Sequence, residues 1–180
     1  MDSIELTRLE RRARLGYELA RARRALVGVL PVLAIVGIAA LLTHRPSSTV
    51  AFGLVTAAAG AFMLWYGRDP QRAVLPGVAA GLIPLVAALC ANHFHHCGPD
   101  GCTSWCVPAC TAGGVVAGIA VAWVGVTRRA GVRFWVSASG LALLTGAMGC
   151  ACVGYSGVAG LALGYGVGVV PLLLRGQRTA

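Results

Sequence analysis

Seven cysteines and a histidine cluster carry the chemistry of this 180-residue sequence. His93, His95 and His96 lie in the run Cys90-Ala-Asn-His-Phe-His-His-Cys97, which continues through Gly98-Pro-Asp-Gly-Cys102 to Cys106 and Cys110. Cys150 and Cys152 form a separate Cys-Ala-Cys pair. Two kinds of chemistry suit such clustering. Thiolates and imidazoles can converge on a soft or borderline ion such as Zn or Cu(I). Alternatively, in an oxidising compartment, cysteines pair as disulfides that staple a loop to its support. Seven is odd, so full pairing within one chain is excluded.

The spacings narrow the choice little, because the sequence has no Cys-x-x-Cys and no His-Glu-x-x-His. Cys102, Cys106 and Cys110 fall at i, i+4 and i+8. They share one helix face if a helix starts ahead of Pro108. A Cys-x-Cys pair can chelate or undergo exchange, and strain makes a disulfide in so small a ring easily reduced. The alternative for Cys150 and Cys152 is that Cys packs well as a small apolar side chain. His44, beside Arg45, reads as solvated. Only six residues are acidic, with no paired carboxylates and no phosphate-binding loop, so hydrolase and nucleotide-binding classes are excluded.

The elements that position these residues are apolar and long. Hydrophobic residues make up 57% of the chain and charged residues 12%, far below the roughly one quarter usual in soluble domains. Six stretches approach the length needed to cross a hydrocarbon core of roughly 30 Å: 25–43, 50–66, 73–91, 107–127, 134–149 and 151–174. None contains Asp, Glu, Lys or Arg, and none alternates as a membrane strand would. The reading is an all-α polytopic membrane protein, a bundle of about six transmembrane helices. Gly77 with Gly81, and Gly160 with Gly164, have the small-xxx-small spacing that lets helices approach closely. Pro31, Pro76, Pro84 and Pro171 are expected to kink or start helices, which a bundle can absorb.

Charge sets the orientation. All 15 basic residues are arginine, and seven of them (Arg8, Arg11, Arg12, Arg14, Arg21, Arg23 and Arg24) precede the first apolar stretch. The segments connecting the stretches alternate between arginine-rich and arginine-poor, and every arginine except Arg45 falls on one side. Cytoplasmic loops carry the excess of basic residues. Both termini are therefore expected in the cytoplasm, with all seven cysteines at or near the outer ends of the spans. The first stretch lacks a clean small-x-small cleavage site and reads as an anchor.

Residues 1–24 read as a cytoplasmic basic amphipathic helix, with Asp2 and Glu5 in a capping-box-like start. Leu6, Leu9, Ala13, Gly16, Tyr17 and Ala20 form its apolar stripe. Such an arm either rests on anionic headgroups or docks a cytoplasmic protein, through Leu6, Leu9, Arg12, Ala13 and Tyr17. Direct nucleic-acid binding is not expected of so short an arm. Residues 176–180 form a short cytoplasmic tail.

In layout the chain resembles the NrsF-type (negative regulator of sigma-F) polytopic membrane anti-sigma factors of bacteria. Its closing segment, Cys152-Val-Gly-Tyr-Ser-Gly157 running into Leu163-Gly-Tyr-Gly-Val-Gly-Val-Val-Pro171-Leu-Leu-Leu-Arg175, is similar to the Cys-containing, Gly-rich, Arg-terminated last helix of that family. The resemblance implies a regulator of the bacterial inner membrane, not an enzyme. Its N-terminal arm would hold an extracytoplasmic-function sigma factor, and Cys152 would respond to metal or redox stress. Two other functions compete: a heavy-metal transport or handling protein fed by the outer His/Cys cluster, and a membrane thiol-disulfide oxidoreductase. The scarcity of polar groups within the spans counts against the first, and the lack of Cys-x-x-Cys against the second.

Overall fold

The computed structural model describes residues 3–42, 46–67, 69–94, 103–151 and 154–178. Within these, the side chains of 3, 4, 6, 7, 9, 46, 69, 92–94, 103–105 and 174–178 lie outside the description. Six α-helices follow one another: α1 (Ser3–Leu42), α2 (Pro46–Tyr66), α3 (Asp69–Phe94), α4 (Thr103–Thr127), α5 (Val132–Cys150) and α6 (Tyr155–Arg178). The described residues contain no strand.

Five of these helices carry segments long and apolar enough to cross a membrane: Glu10–Leu42, Ser47–Tyr66, Pro70–Ala91, Cys106–Thr127 and Tyr155–Leu173. Large apolar side chains such as Leu30, Ile38 and Leu41 on α1 and Phe62 on α2 project outward from the bundle. A bilayer is the environment that accepts such a surface. Length and composition therefore mark a helical membrane protein.

The remaining helix, α5, lies at the centre of the bundle. It packs against each of the other five helices, most extensively against α3. Phe134, Ser137, Ala138, Leu141, Ala142 and the run from Thr145 to Cys150 are buried. Val132 and Val136, by contrast, are exposed, so one side of this central helix reaches the outer surface.

Helix α1 runs without a break through the expected boundary at residue 24. At about 1.5 Å per residue, its 40 residues span roughly 60 Å, about twice the thickness of a hydrocarbon core. Val29, Val32, Val36 and Ala39 pack into the bundle, whereas residues 11–20 are all exposed. The start of the arm at Asp2 lies outside the described residues.

Glycine sets the closest helix contacts. The predicted pair Gly77 and Gly81 faces α5, where a Cβ would meet the carbonyl oxygens of Ala138 and Ala142 at 2.8 and 2.6 Å. The predicted pair Gly160 and Gly164 faces Thr111 on α4. Gly114 and Gly118 on α4 and Gly168 on α6 extend that second seam. Pro84, fully buried inside α3, sits between Gly113 of α4 and Gly146 of α5. Its ring occupies space that side chains would otherwise fill.

Candidate functional site: a buried thiol cluster

Helix α4 begins at Thr103, ahead of the expected 107, and carries Pro108 in its second turn. At the sixth position of α4, Pro108 lacks the amide that would bond the carbonyl of residue 104, so the helix runs on with one backbone bond fewer. The early start puts Cys106 and Cys110 on one face, both buried, at 2% and 0% exposure. Helix α5 ends at Cys150, also 0% exposed. The amide of Ala151 bonds to the carbonyl of Ala147, and the amide of Gly154 to that of Ala151, at 3.1 Å. Gly154 has φ +89, a left-handed conformation suited to glycine, and releases the chain into α6.

This geometry brings Cys110 of α4 and Cys150 of α5 together in one buried cluster. Cys106 lies one turn before Cys110 on the same helix. Ala88, Ala147 and Leu161 complete an apolar cluster around the pair, with Phe52, Leu143 and Val158 packed on it. The arrangement is a dithiol joining two helices, sealed by α3 and α6.

Of the remaining predicted site residues, Cys90 is exposed in the last turns of α3, apart from the buried cluster. His93 lies on α3, with its side chain outside the description, and His95, His96, Cys97, Cys102 and Cys152 lie outside the described residues. Among the described residues, no group of three or more His, Cys, Asp and Glu side chains is arranged to hold a metal ion.

The opposite end of the bundle is basic. Arg12, Ala13 and Tyr17 are exposed, while the side chains of Leu6 and Leu9 lie outside the description. Tyr17, Arg21 and Arg24 of α1 face Leu64, Tyr66 and Gln71 across an open cavity of about 700 Å³. The Arg21 guanidinium lies 5.9 Å from the centroid of the Trp65 ring, within the range of a cation–π contact that ties the base of the arm to α2. Leu15 and Leu19 are exposed apolar residues of the arm that its predicted stripe omitted.

Two interhelical hydrogen bonds were not anticipated. The Thr49 hydroxyl of α2 donates to the Met148 carbonyl of α5, and the Tyr165 hydroxyl of α6 donates to Ser139 of α5. A lone Thr, Ser or Tyr in an apolar run carries no spacing signal. Compared with protein-family models, curated proteins and solved structures, the chain matches none.

Proposed function

We propose that the chain is a six-span, non-enzymatic regulator of the bacterial inner membrane, with both termini in the cytoplasm and its thiol end outside. The Cys110–Cys150 dithiol is the input, and the exposed basic arm holds a cytoplasmic sigma factor as the output. The observation that carries this reading is the buried cluster that holds Cys110 of α4 with Cys150 of α5, at the end of the bundle remote from the arm. Oxidation would remove two electrons and two protons from the pair, delivering them to a two-electron oxidant such as a quinone or peroxide. The new sulfur–sulfur bond would lock α4 to α5. Because α5 touches every other helix, including α1, a shift there has a packed route to the arm. Metal capture by the His/Cys set would be an alternative input.

The test tags the C-terminus and identifies what co-purifies in mild detergent, with and without thiol oxidant, Zn or Cu(I). A sigma factor retained at rest and lost after oxidant, but retained in Cys110→Ser/Cys150→Ser under the same oxidant, supports the reading. Oxidant-induced loss of the partner from the double variant would remove the dithiol as its trigger. Absence of any cytoplasmic partner in all states would end the anti-sigma reading.

A further inference from the structure

A second basic feature lies on the arginine-rich end, away from the arm. Arg72 near the start of α3, Arg128 and Arg129 just past α4, and Phe134 at the start of α5 line a cleft of about 440 Å³. Ala130 and Gly131 also line it, where the chain turns between α4 and α5. The turn is held by Arg128 N–H to Val124 O and Ala130 N–H to Gly125 O, at 3.1 and 2.9 Å. Arg129 adopts φ 46, a left-handed conformation uncommon for a residue with a side chain.

We propose that this cleft binds the phosphate of an anionic phospholipid headgroup. Guanidinium groups match phosphate oxygens with paired donors, and three, from two separate segments, line one cleft. Asp69 precedes Arg72 by one helical turn. Arg128 and Arg129 line the cleft from a different segment. Gly131 caps α5 without any side-chain hydrogen bond, which leaves that helix end to complement the same charge.

Position selects a lipid over free phosphate. The apolar segment of α4 ends at Thr127, one residue before the cleft, so the cleft sits at headgroup depth. Leu75 on α3 and Val132 and Val136 on α5, within a few residues of the cleft in sequence, are exposed apolar side chains. Acyl chains can cover those side chains, whereas inorganic phosphate cannot. Basic pockets between membrane helices are an established form of anionic-lipid site. The inference needs only the membrane setting and is independent of the thiol reading.

The full chain in neutral detergent would be titrated with phosphatidylglycerol or phosphatidylcholine and bound lipid counted by native mass spectrometry, with inorganic phosphate as competitor. The expected preference for phosphatidylglycerol is on the order of tenfold. It should vanish in Arg72→Gln/Arg128→Gln/Arg129→Gln and persist in Arg8→Gln/Arg11→Gln/Arg12→Gln, which removes equal charge from the arm. Equal retention of the two lipids by the unaltered protein would overturn the proposal, and this comparison stands even if the cleft variant fails to fold. Displacement by inorganic phosphate at concentrations matching the lipid, or loss of the preference only in the arm variant, would overturn it too.

Discussion

The hydroxyl of Thr49, near the start of α2, donates to the main-chain carbonyl of Met148 in the last turn of α5, 3.1 Å away. The last four carbonyls of a helix have no intrahelical partner, and inside a membrane no water replaces one. Thr49 therefore acts as a cap delivered from another helix, two residues short of Cys150. Thr49→Val keeps the shape and removes the donor, and should cost about 1 kcal/mol, while Thr49→Ser should restore most of it. Unfolding in mixed micelles measures this. Equal stability of the Val variant and the parent would mean that the carbonyl finds another donor.

Burial of the thiols makes a prediction about reactivity. In a chain with Cys97→Ser, Cys102→Ser and Cys152→Ser, only Cys90, Cys106, Cys110 and Cys150 remain. Cys90 is exposed and the other three are buried. Maleimide should modify Cys90 first, with the other three slower by on the order of a hundredfold, because they react only through local opening. Peptide mapping of the labelled protein gives the order. Thr49→Val should speed modification of Cys150 selectively, by loosening the end of α5. Simultaneous labelling of all four would show the cluster to be open.

The Tyr165–Ser139 bond separates the cost of a lost bond from that of a buried orphan. The phenol of Tyr165 donates to the Ser139 hydroxyl at 2.8 Å, and Tyr165 is buried between α4 and α5. Tyr165→Phe should cost about 1 kcal/mol. Ser139→Ala leaves the phenol without its acceptor and should cost more, about 1–3 kcal/mol. The double variant should fall close to Tyr165→Phe alone. Additive losses would show that the two groups do not interact.

Which parts of this architecture the sequence discloses follows from the physics of each signal. Arginines bracket the apolar runs, so the helices could be read to within a few residues: 50–66 against Pro46–Tyr66, and 134–149 against Val132–Cys150. The division at residue 24 marks a change from polar to apolar surface, and a helix continues through such a change. The central position of α5, packed against all five other helices, is tertiary information. The i, i+4 pair of Cys106 and Cys110 is a local pattern and so was legible. The meeting of Cys110 with Cys150 joins positions 40 apart and has no local signature. The clefts likewise gather Arg21 with Tyr66, and Arg72 with Arg128, across helices.

The glycine seam between α4 and α6 gives the sharpest contrast within one helix. A Cβ at Gly114 or Gly118 would lie 2.5 Å from the carbonyl oxygen of Leu161 or Tyr165. A Cβ at Gly164 or Gly168 would run into the carbonyl oxygen of Thr111 or Val115. These are backbone atoms, so relief requires the helices to separate, and close contact is what drives their association in a membrane. Gly166, on the same helix and between those two positions, has nothing within 4 Å of its Cβ direction. Gly164→Ala and Gly168→Ala should each destabilise by about 1–3 kcal/mol. Gly166→Ala should be neutral or stabilise by up to about 1 kcal/mol, through the higher helix propensity of Ala. Micelle unfolding of the three variants, made side by side, decides the matter. If Gly164→Ala and Gly166→Ala were equally stable, the two helices would have slack that this packing does not allow.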